Sequence, residues 1–423
     1  MNVLWIVNIE LPAISERRGR TINPLGGWLT GVLNRIKDDK DIQLSIAYPD
    51  SNCTGDYEKG VIFKNVNYIS FREFRTTKNN YPKVRDILKR IVDEVNPDII
   101  HIHGTEYMHS SALAEVTYGD IPTAISIQGI LTPYYYYYYG IPGRIKYKVT
   151  LHSLLKRNFL LYGVLSLKKR CKYEQKALLH TDYVIGRTDW DRAYTSWLAP
   201  QAKYMKCNET LRDSFYDTTW KFETCEKDTL LASQSDSPIK GFHFLLRAIA
   251  LVKKQRPDVK VYAVGTEKNP AKLPNCKKLN VYQQYIYKLI KDYHLEKNVV
   301  FLGRLDEKEM VAQMVKANVF ICPSSCENSP NSLGEAMLLG VPCIASDVGG
   351  ISSLISNHVE GIVYRCDDIS LLAYYIIMLF KDKELAIRLG ASARRRALIT
   401  HDSIENYRQL RMIYNEMFSL RKV

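Results

Sequence analysis

The stretch Cys326-Glu327-Asn328-Ser329-Pro330-Asn331-Ser332-Leu333-Gly334-Glu335-Ala336-Met337, continued by Gly340-Val341-Pro342-Cys343-Ile344-Ala345-Ser346, decides how this chain of 423 residues is read. The apolar run 318–321 before it predicts a strand that ends in the loop carrying Glu327. Residues 332–339 have helical spacing and 341–345 form a second apolar run, so the unit is strand, loop, helix, strand. Glu335 falls in the first turns of the helix, where free backbone N–H groups attract phosphate. A carboxylate there can accept two hydrogen bonds from a vicinal diol, as the acidic residue of a dinucleotide fold does for ribose. A single Glu at a helix start also has a plainer explanation, complementarity to the helix dipole.

The same alternation extends in both directions. Strands are predicted at 229–233, 259–264, 298–302 and 361–364, with helices at 241–254, 281–292, 306–316, 368–397 and 402–419. Upstream, strands at 3–9, 42–47, 98–102, 123–127, 183–186 and 203–207 alternate with helices at 84–95, 109–117 and 190–198. Strand-helix alternation implies parallel sheets joined by right-handed crossovers. Residues 130–180, rich in Tyr, Lys and Leu, interrupt the first series and read as helical. The polar stretch 208–228 has no period and separates the series. The expected fold is therefore α/β, two Rossmann-like parallel-sheet lobes facing across a cleft, divided into 1–215 and 216–399.

Lys240-Gly241 follows the strand 229–233 and opens a helix. A cation is disfavoured at a helix N-terminus, so an anionic ligand is the better explanation for it. His101-Ile102-His103-Gly104 ends a strand, but a metal site needs a third ligand and none is readable, so no metal is expected.

The Glu327-to-Glu335 spacing, with Glu-Ala-Met and Gly-x-Pro after it, resembles the Glu-x7-Glu motif of the family-4 retaining glycosyltransferases, which have the two-lobed fold called GT-B. The resemblance runs in order along essentially the whole chain. It implies that Glu335 binds the nucleotide ribose and that Glu327 lies beside the transferred sugar. The backbone of Ser332, Leu333 and Gly334 would cradle diphosphate or sugar, and Lys240 would bind the diphosphate. Where the family has an additional arginine, this chain has Ser235, and Arg187 is a candidate substitute or else one half of a structural ion pair. Gly303-Arg304-Leu305 looks like the segment that meets the nucleobase, Arg304 and Leu305 being the candidate contacts. Gly26-Gly27 resembles the loop that approaches the donor. Gln128 stands where many relatives have a His against the donor sugar, and it can hydrogen-bond a hydroxyl without titrating near neutrality. The first lobe would bind the acceptor, the second the donor, and the C-terminal helix 400–423 would pack back on the first lobe. Front-face transfer needs no side-chain nucleophile. No Asp-x-Asp metal motif accompanies these residues, so metal-independent catalysis is expected. No cofactor is expected beyond the donor substrate, a UDP-sugar or GDP-sugar.

Composition sets the setting. A hydrophobic fraction of 46% argues against disorder, and the nine scattered cysteines fit a reducing cytoplasm rather than a disulfide framework. The formal charge of +14 asks for an acidic partner. Residues 144–176 carry ten Lys or Arg and a single Glu. Leu151, Leu154, Leu155, Phe159, Tyr162 and Leu165 recur there at helical spacing, after six tyrosines at 134–139. The pattern predicts an interfacial element on an anionic membrane surface, with a buried stripe as the alternative. The expected acceptor is a glycan or a polyprenyl-diphosphate-linked lipid in surface polysaccharide or glycolipid biosynthesis. The expected location is cytoplasmic, peripheral on the inner face of the cell membrane. A nucleotide-sugar epimerase of the same architecture shares the lobes but needs no acceptor. A nucleic-acid-binding protein accounts for the charge but not for Glu327 and Glu335, so no nucleic-acid partner is expected.

Overall fold

Eight strands build the first sheet: β1 (Asn2–Ile6), β2 (Gln43–Asp50), β3 (Tyr57–Phe63), β4 (Val66–Arg72), β5 (Ile99–His103), β6 (Thr123–Ser126), β7 (Tyr183–Gly186) and β8 (Lys203–Lys206), of which β5 and β7 are buried throughout. The computed structural model describes residues 1–22, 28–149, 151–155, 159–265 and 279–420. The strand order is β3-β4-β2-β1-β5-β6-β7-β8, and every pairing is parallel except β3 with β4. That antiparallel hairpin is absent from the sequence reading. β3 is an edge strand with Glu58 and Lys59 exposed and no buried residue, so it lacks the apolar run by which its neighbours are recognised.

The second sheet contains β9 (Thr229–Ala232), β10 (Lys260–Val264), β11 (Val299–Gly303), β12 (Val319–Cys322), β13 (Cys343–Ser346) and β14 (Ile362–Tyr364). It is parallel throughout, in the order β11-β10-β9-β12-β13-β14. This is the Rossmann arrangement, with the strand order reversing between β9 and β12. The helical span predicted at 368–397 comprises two helices, Ile369–Lys381 and Lys383–Thr400, separated at Asp382.

The chain divides into two compact units, one of 1–132, 167–212 and 401–423, the other of 133–166 and 213–400. Residues 133–166 therefore fall with the second sheet, although their position before 215 assigned them to the first. The reason is packing: Ile141 and Leu160 are buried in the same apolar core as Phe242, Leu245 and Val281. Backbone carbonyls reinforce the attachment. His243 contacts the Tyr139 oxygen at 3.1 Å, and Arg247 donates to the Gly140 oxygen at 3.2 Å. The helix Ser403–Leu420 belongs to the first unit, where Leu410, Ile413, Tyr414 and Met417 are buried with Val3 and Trp5. Trp5 Nε1 donates to the Tyr414 hydroxyl at 2.7 Å. Burying side chains of that size contributes roughly 1.5–3 kcal/mol each, enough to hold a terminal helix in place.

Candidate functional site

In an open α/β sheet, ligands bind beyond the carboxyl ends of the strands where the order reverses. In the second unit those strands are β9 and β12. Lys240 lies in the turn after β9 and Glu327 in the loop after β12. The two meet there. Lys240 Nζ donates to Glu327 Oε1 at 2.7 Å, and Ser324 Oγ donates to the same oxygen at 2.7 Å. Burial pulls the Lys240 ammonium down, but the adjoining Glu327 carboxylate outweighs it and holds the group above the ordinary lysine value. Where the sequence leads one to expect an anionic ligand at Lys240, the described residues place the Glu327 carboxylate against it.

Two glycines make this approach possible. Gly241 has φ +67°, and a Cβ there would overlap the Pro323 carbonyl oxygen. Gly349 has φ +55°, and its Cβ would overlap the carbonyl oxygen of Glu327 itself. Gly350 N donates to that oxygen at 3.0 Å, so the backbone of Glu327 is pinned as well as its side chain. Any larger residue at either glycine would push the loops apart.

Glu335 sits in helix Asn331–Leu339 and is 5% exposed. That helix starts after Pro330, an N-cap without a side-chain bond, and ends at Gly340 in the left-handed region. The Leu333 and Gly334 amides donate to the Pro330 oxygen at 3.0 and 3.2 Å. The expected cradle of three amides therefore narrows, with Ser332 the member not engaged by that carbonyl. Cys322 and Cys326 flank the loop, and burial pushes both thiols up to about 12, so neither is a nucleophile near neutrality.

The remaining candidates are placed as follows. Ser235 is buried, its amide and hydroxyl both donating to the Val264 oxygen at 2.9 Å. Arg304 is exposed and Leu305 half-buried, after Gly303 at the end of edge strand β11. Gly26 and Gly27 lie outside the described residues. Arg187 belongs to the first unit and is buried. It forms an ion pair with Glu209 and donates Nη2 to the Ile127 oxygen at 2.6 Å, which is the ion-pair alternative rather than a contact left over for phosphate. Gln128 Nε2 donates to Glu209 Oε1 at 2.9 Å.

His101 bonds Ser126 Oγ at 2.6 Å and the Tyr414 hydroxyl at 2.7 Å, using both ring nitrogens. Burial pushes it down to about 3, and His103 falls well below its ordinary value for the same reason, so both are neutral core groups. Among the described residues no group of three or more His, Cys, Asp or Glu is arranged to hold a metal. A cavity of about 480 Å³ lined by Asn2, Gln43, Lys59 and Glu94 opens at the amino ends of β1 and β2, the end of the sheet opposite to the candidate residues.

Four supporting residues have no signal in the sequence. Ser324 and Ser325 sit in an unremarkable Pro-Ser-Ser turn, yet one holds Glu327 and the other donates to the Tyr136 oxygen at 2.7 Å. That second bond ties the tyrosine segment to the Glu327 loop. Glu209 lies in the stretch that has no period. Glu174, the lone acid of 144–176, is fully buried and accepts from Leu131 N, Thr132 N and Oγ1, and Thr105 Oγ1, all at 2.8 Å. Burial raises its pKa.

Residues 221–396 match the family described as Glycosyl transferases group 1. A 109-residue stretch is 36% identical to N-acetyl-alpha-D-glucosaminyl L-malate synthase of Bacillus anthracis, covering 26% of this chain and 28% of that one. Over 164 residues it is 28% identical to the GDP-mannose-dependent monoacylated alpha-(1-6)-phosphatidylinositol monomannoside mannosyltransferase of Corynebacterium glutamicum, covering 37% and 39%. The chain thus matches well under half the length of these curated relatives. The fold is similar to that of sucrose-phosphate synthase from Thermosynechococcus elongatus, with TM-score 0.70 at 17% identity over 99% of this chain and 100% of that one. The two Rossmann-like parallel-sheet lobes are the fold class that the sequence predicts.

Proposed function

We propose that the protein is a retaining glycosyltransferase that moves a sugar from a nucleoside-diphosphate sugar to a glycan or polyprenyl-diphosphate-linked acceptor. The observation that carries this reading is Glu327, fixed by Lys240 and Ser324 beyond the β9–β12 switch point and eight positions ahead of Glu335. Both carboxylates lie inside the segment that matches the group 1 family. Glu335 takes the ribose hydroxyls and Lys240 the diphosphate, with the Ser332 amide beside it. Arg304 and Leu305 border the base, either uracil or guanine. Glu327 accepts from hydroxyls of the transferred sugar, and Gln128 of the first unit hydrogen-bonds a substrate hydroxyl.

In the reaction the bond from the anomeric carbon to the diphosphate oxygen breaks while the acceptor oxygen bonds the same face. The acceptor proton passes to the departing phosphate oxygen. The protein supplies orientation and charge stabilisation, with no metal. The test is incubation with uridine and guanosine diphosphate sugars, with and without lipid-linked acceptor. Release of nucleoside diphosphate should depend on acceptor, and the product should keep the donor's anomeric configuration. Isomerised donor formed without acceptor would replace this reading with the epimerase.

The setting we propose is surface polysaccharide or glycolipid synthesis on the inner face of the cell membrane. No helix among the described residues is long and apolar enough to cross a membrane. The interfacial stripe divides: Phe159 packs against the core, while Leu154, Leu155, Tyr162 and Leu165 are exposed, Leu155 by 77%. Tyr147 and Val149 are exposed with them, as are Arg144, Lys148, Lys168 and Lys169. Arg170 differs, donating to the Glu106 oxygen and lying over the Tyr107 ring. Exposed apolar groups interleaved with bases fit an anionic lipid surface, each base adding about 1 kcal/mol. Anionic vesicles should sediment the protein, less so as salt rises, with a salt-resistant fraction remaining. Lys168→Gln with Lys169→Gln should weaken the salt-sensitive part, and Leu154→Ser with Leu155→Ser the resistant part. Wild-type protein left in the supernatant at low salt would refute membrane docking.

A further inference from the structure

Three groups at the carboxyl ends of β6, β7 and β8 form a closed polar cluster within the first unit: Gln128, Arg187 and Glu209. Glu209 is its centre. Its Oε1 accepts from Gln128 Nε2 and pairs with Arg187, which in turn is fixed to the Ile127 oxygen. The Glu209 backbone is held separately, its carbonyl bonded by His401 Nδ1 at 2.8 Å and Asn406 Nδ2 at 3.3 Å. Burial keeps the His401 pKa below its ordinary value, so this support does not charge near neutrality.

The chemistry of the pair fixes the direction of the Gln128 amide. A carboxylate paired with a guanidinium only accepts hydrogen bonds, and Glu209 lies against the buried Arg187. Gln128 must therefore turn its NH₂ inward. Its carbonyl oxygen is the end left over, the bond to Glu209 being the only hydrogen bond of this side chain among the described residues. Gln128 is half-buried, so that oxygen can be reached from outside. An amide with no neighbour of fixed polarity can flip between its two ends. This one cannot without facing oxygen to oxygen.

We infer that Glu209 is a positioning residue that locks Gln128 with its carbonyl oxygen outward, making the position an acceptor for a sugar hydroxyl and closed to ligand groups that only accept. The inference rests on the reading of Gln128 as a substrate contact. Arg187 acts one step further back, as the charge that holds Glu209.

A double-mutant cycle tests it, reading kcat for sugar transfer, affinity for the free nucleoside diphosphate, and the thermal midpoint. Gln128→Ala should lower kcat by roughly tenfold, the scale of one lost hydrogen bond to a reacting group. Glu209→Ala should lower kcat by the same factor and leave nucleoside diphosphate affinity unchanged. The double variant should be no slower than Gln128→Ala alone, because Glu209 has nothing left to orient. Losses that multiply in the double variant, or a parallel loss of nucleotide affinity, would overturn the assignment. Should Glu209→Ala fail to fold because Arg187 is left unpaired, Glu209→Gln takes its place. It keeps an acceptor for Gln128 but lets the pair flip, so a smaller loss is expected that again vanishes in the Gln128→Ala background. A harmless Gln128→Ala would remove the substrate contact itself. A damaging Gln128→Ala beside a harmless Glu209→Ala would remove only the orientation.

Discussion

Glu327→Ala should reduce kcat by roughly 10²–10³-fold, the range seen when one pre-positioned group is removed from a transition state. In the proposed reading the side chain serves the transferred sugar rather than nucleotide binding. It sits beyond the switch point, locked by Lys240 and Ser324 and by the backbone bond from Gly350. Its removal has a second effect that sharpens the test. Lys240 loses this partner and becomes more available as a cation for the diphosphate that the proposed function assigns to it. Affinity for the free nucleoside diphosphate should therefore stay within about threefold or rise, since an unpaired ammonium pairs more readily with phosphate. Turnover and affinity move independently only if Glu327 serves the sugar. A matched fall in both would show that the residue holds the loop together and nothing more. Steady-state kinetics beside calorimetry with the diphosphate, on protein of unchanged thermal midpoint, separates the outcomes.

What was legible in the sequence follows from burial. The strands around Lys240, Glu327 and Glu335 are buried on both faces, so each appears as an unbroken apolar run, and their helices close with recognisable signals such as Gly340. The edge hairpin of β3 and β4 carries polar residues outward and alternates poorly, so it left no such mark. Residues 133–166 show a different limit. Their helical character and exposed stripe were readable, but their attachment to the second unit depends on Ile141 and Leu160 fitting a core some 100 residues downstream. Nothing local encodes that.

The site divides in the same way. Glu327, Glu335 and Lys240 announce themselves by spacing and by their place after strands. Their supports do not. Ser324 is recognisable only through its bond to Glu327 three positions on, and Glu209 only through its bond to Gln128 across 81 positions. Arg187 was visible as a basic residue after a strand, yet its partner was hidden in that aperiodic stretch. A lone arginine reads equally well as a ligand contact or as half of an ion pair until the acid is located.

The account stands or falls on the second unit holding a nucleotide through Glu335. The carboxylate is 5% exposed in the helix that follows the Glu327 loop, so in this reading it meets the ribose with little competition from water. Hydrogen bonds to a charged acceptor contribute roughly 1.5–3 kcal/mol. Glu335→Gln keeps the shape and one acceptor oxygen while removing the charge, so affinity should fall about tenfold or more, at 1.4 kcal/mol per decade. The measurement is calorimetry of uridine and guanosine diphosphates on the wild type and on Glu335→Gln. One of the two nucleotides should bind the wild type and lose at least a decade in the variant. Binding of neither, or an affinity unchanged by Glu335→Gln, would contradict the account.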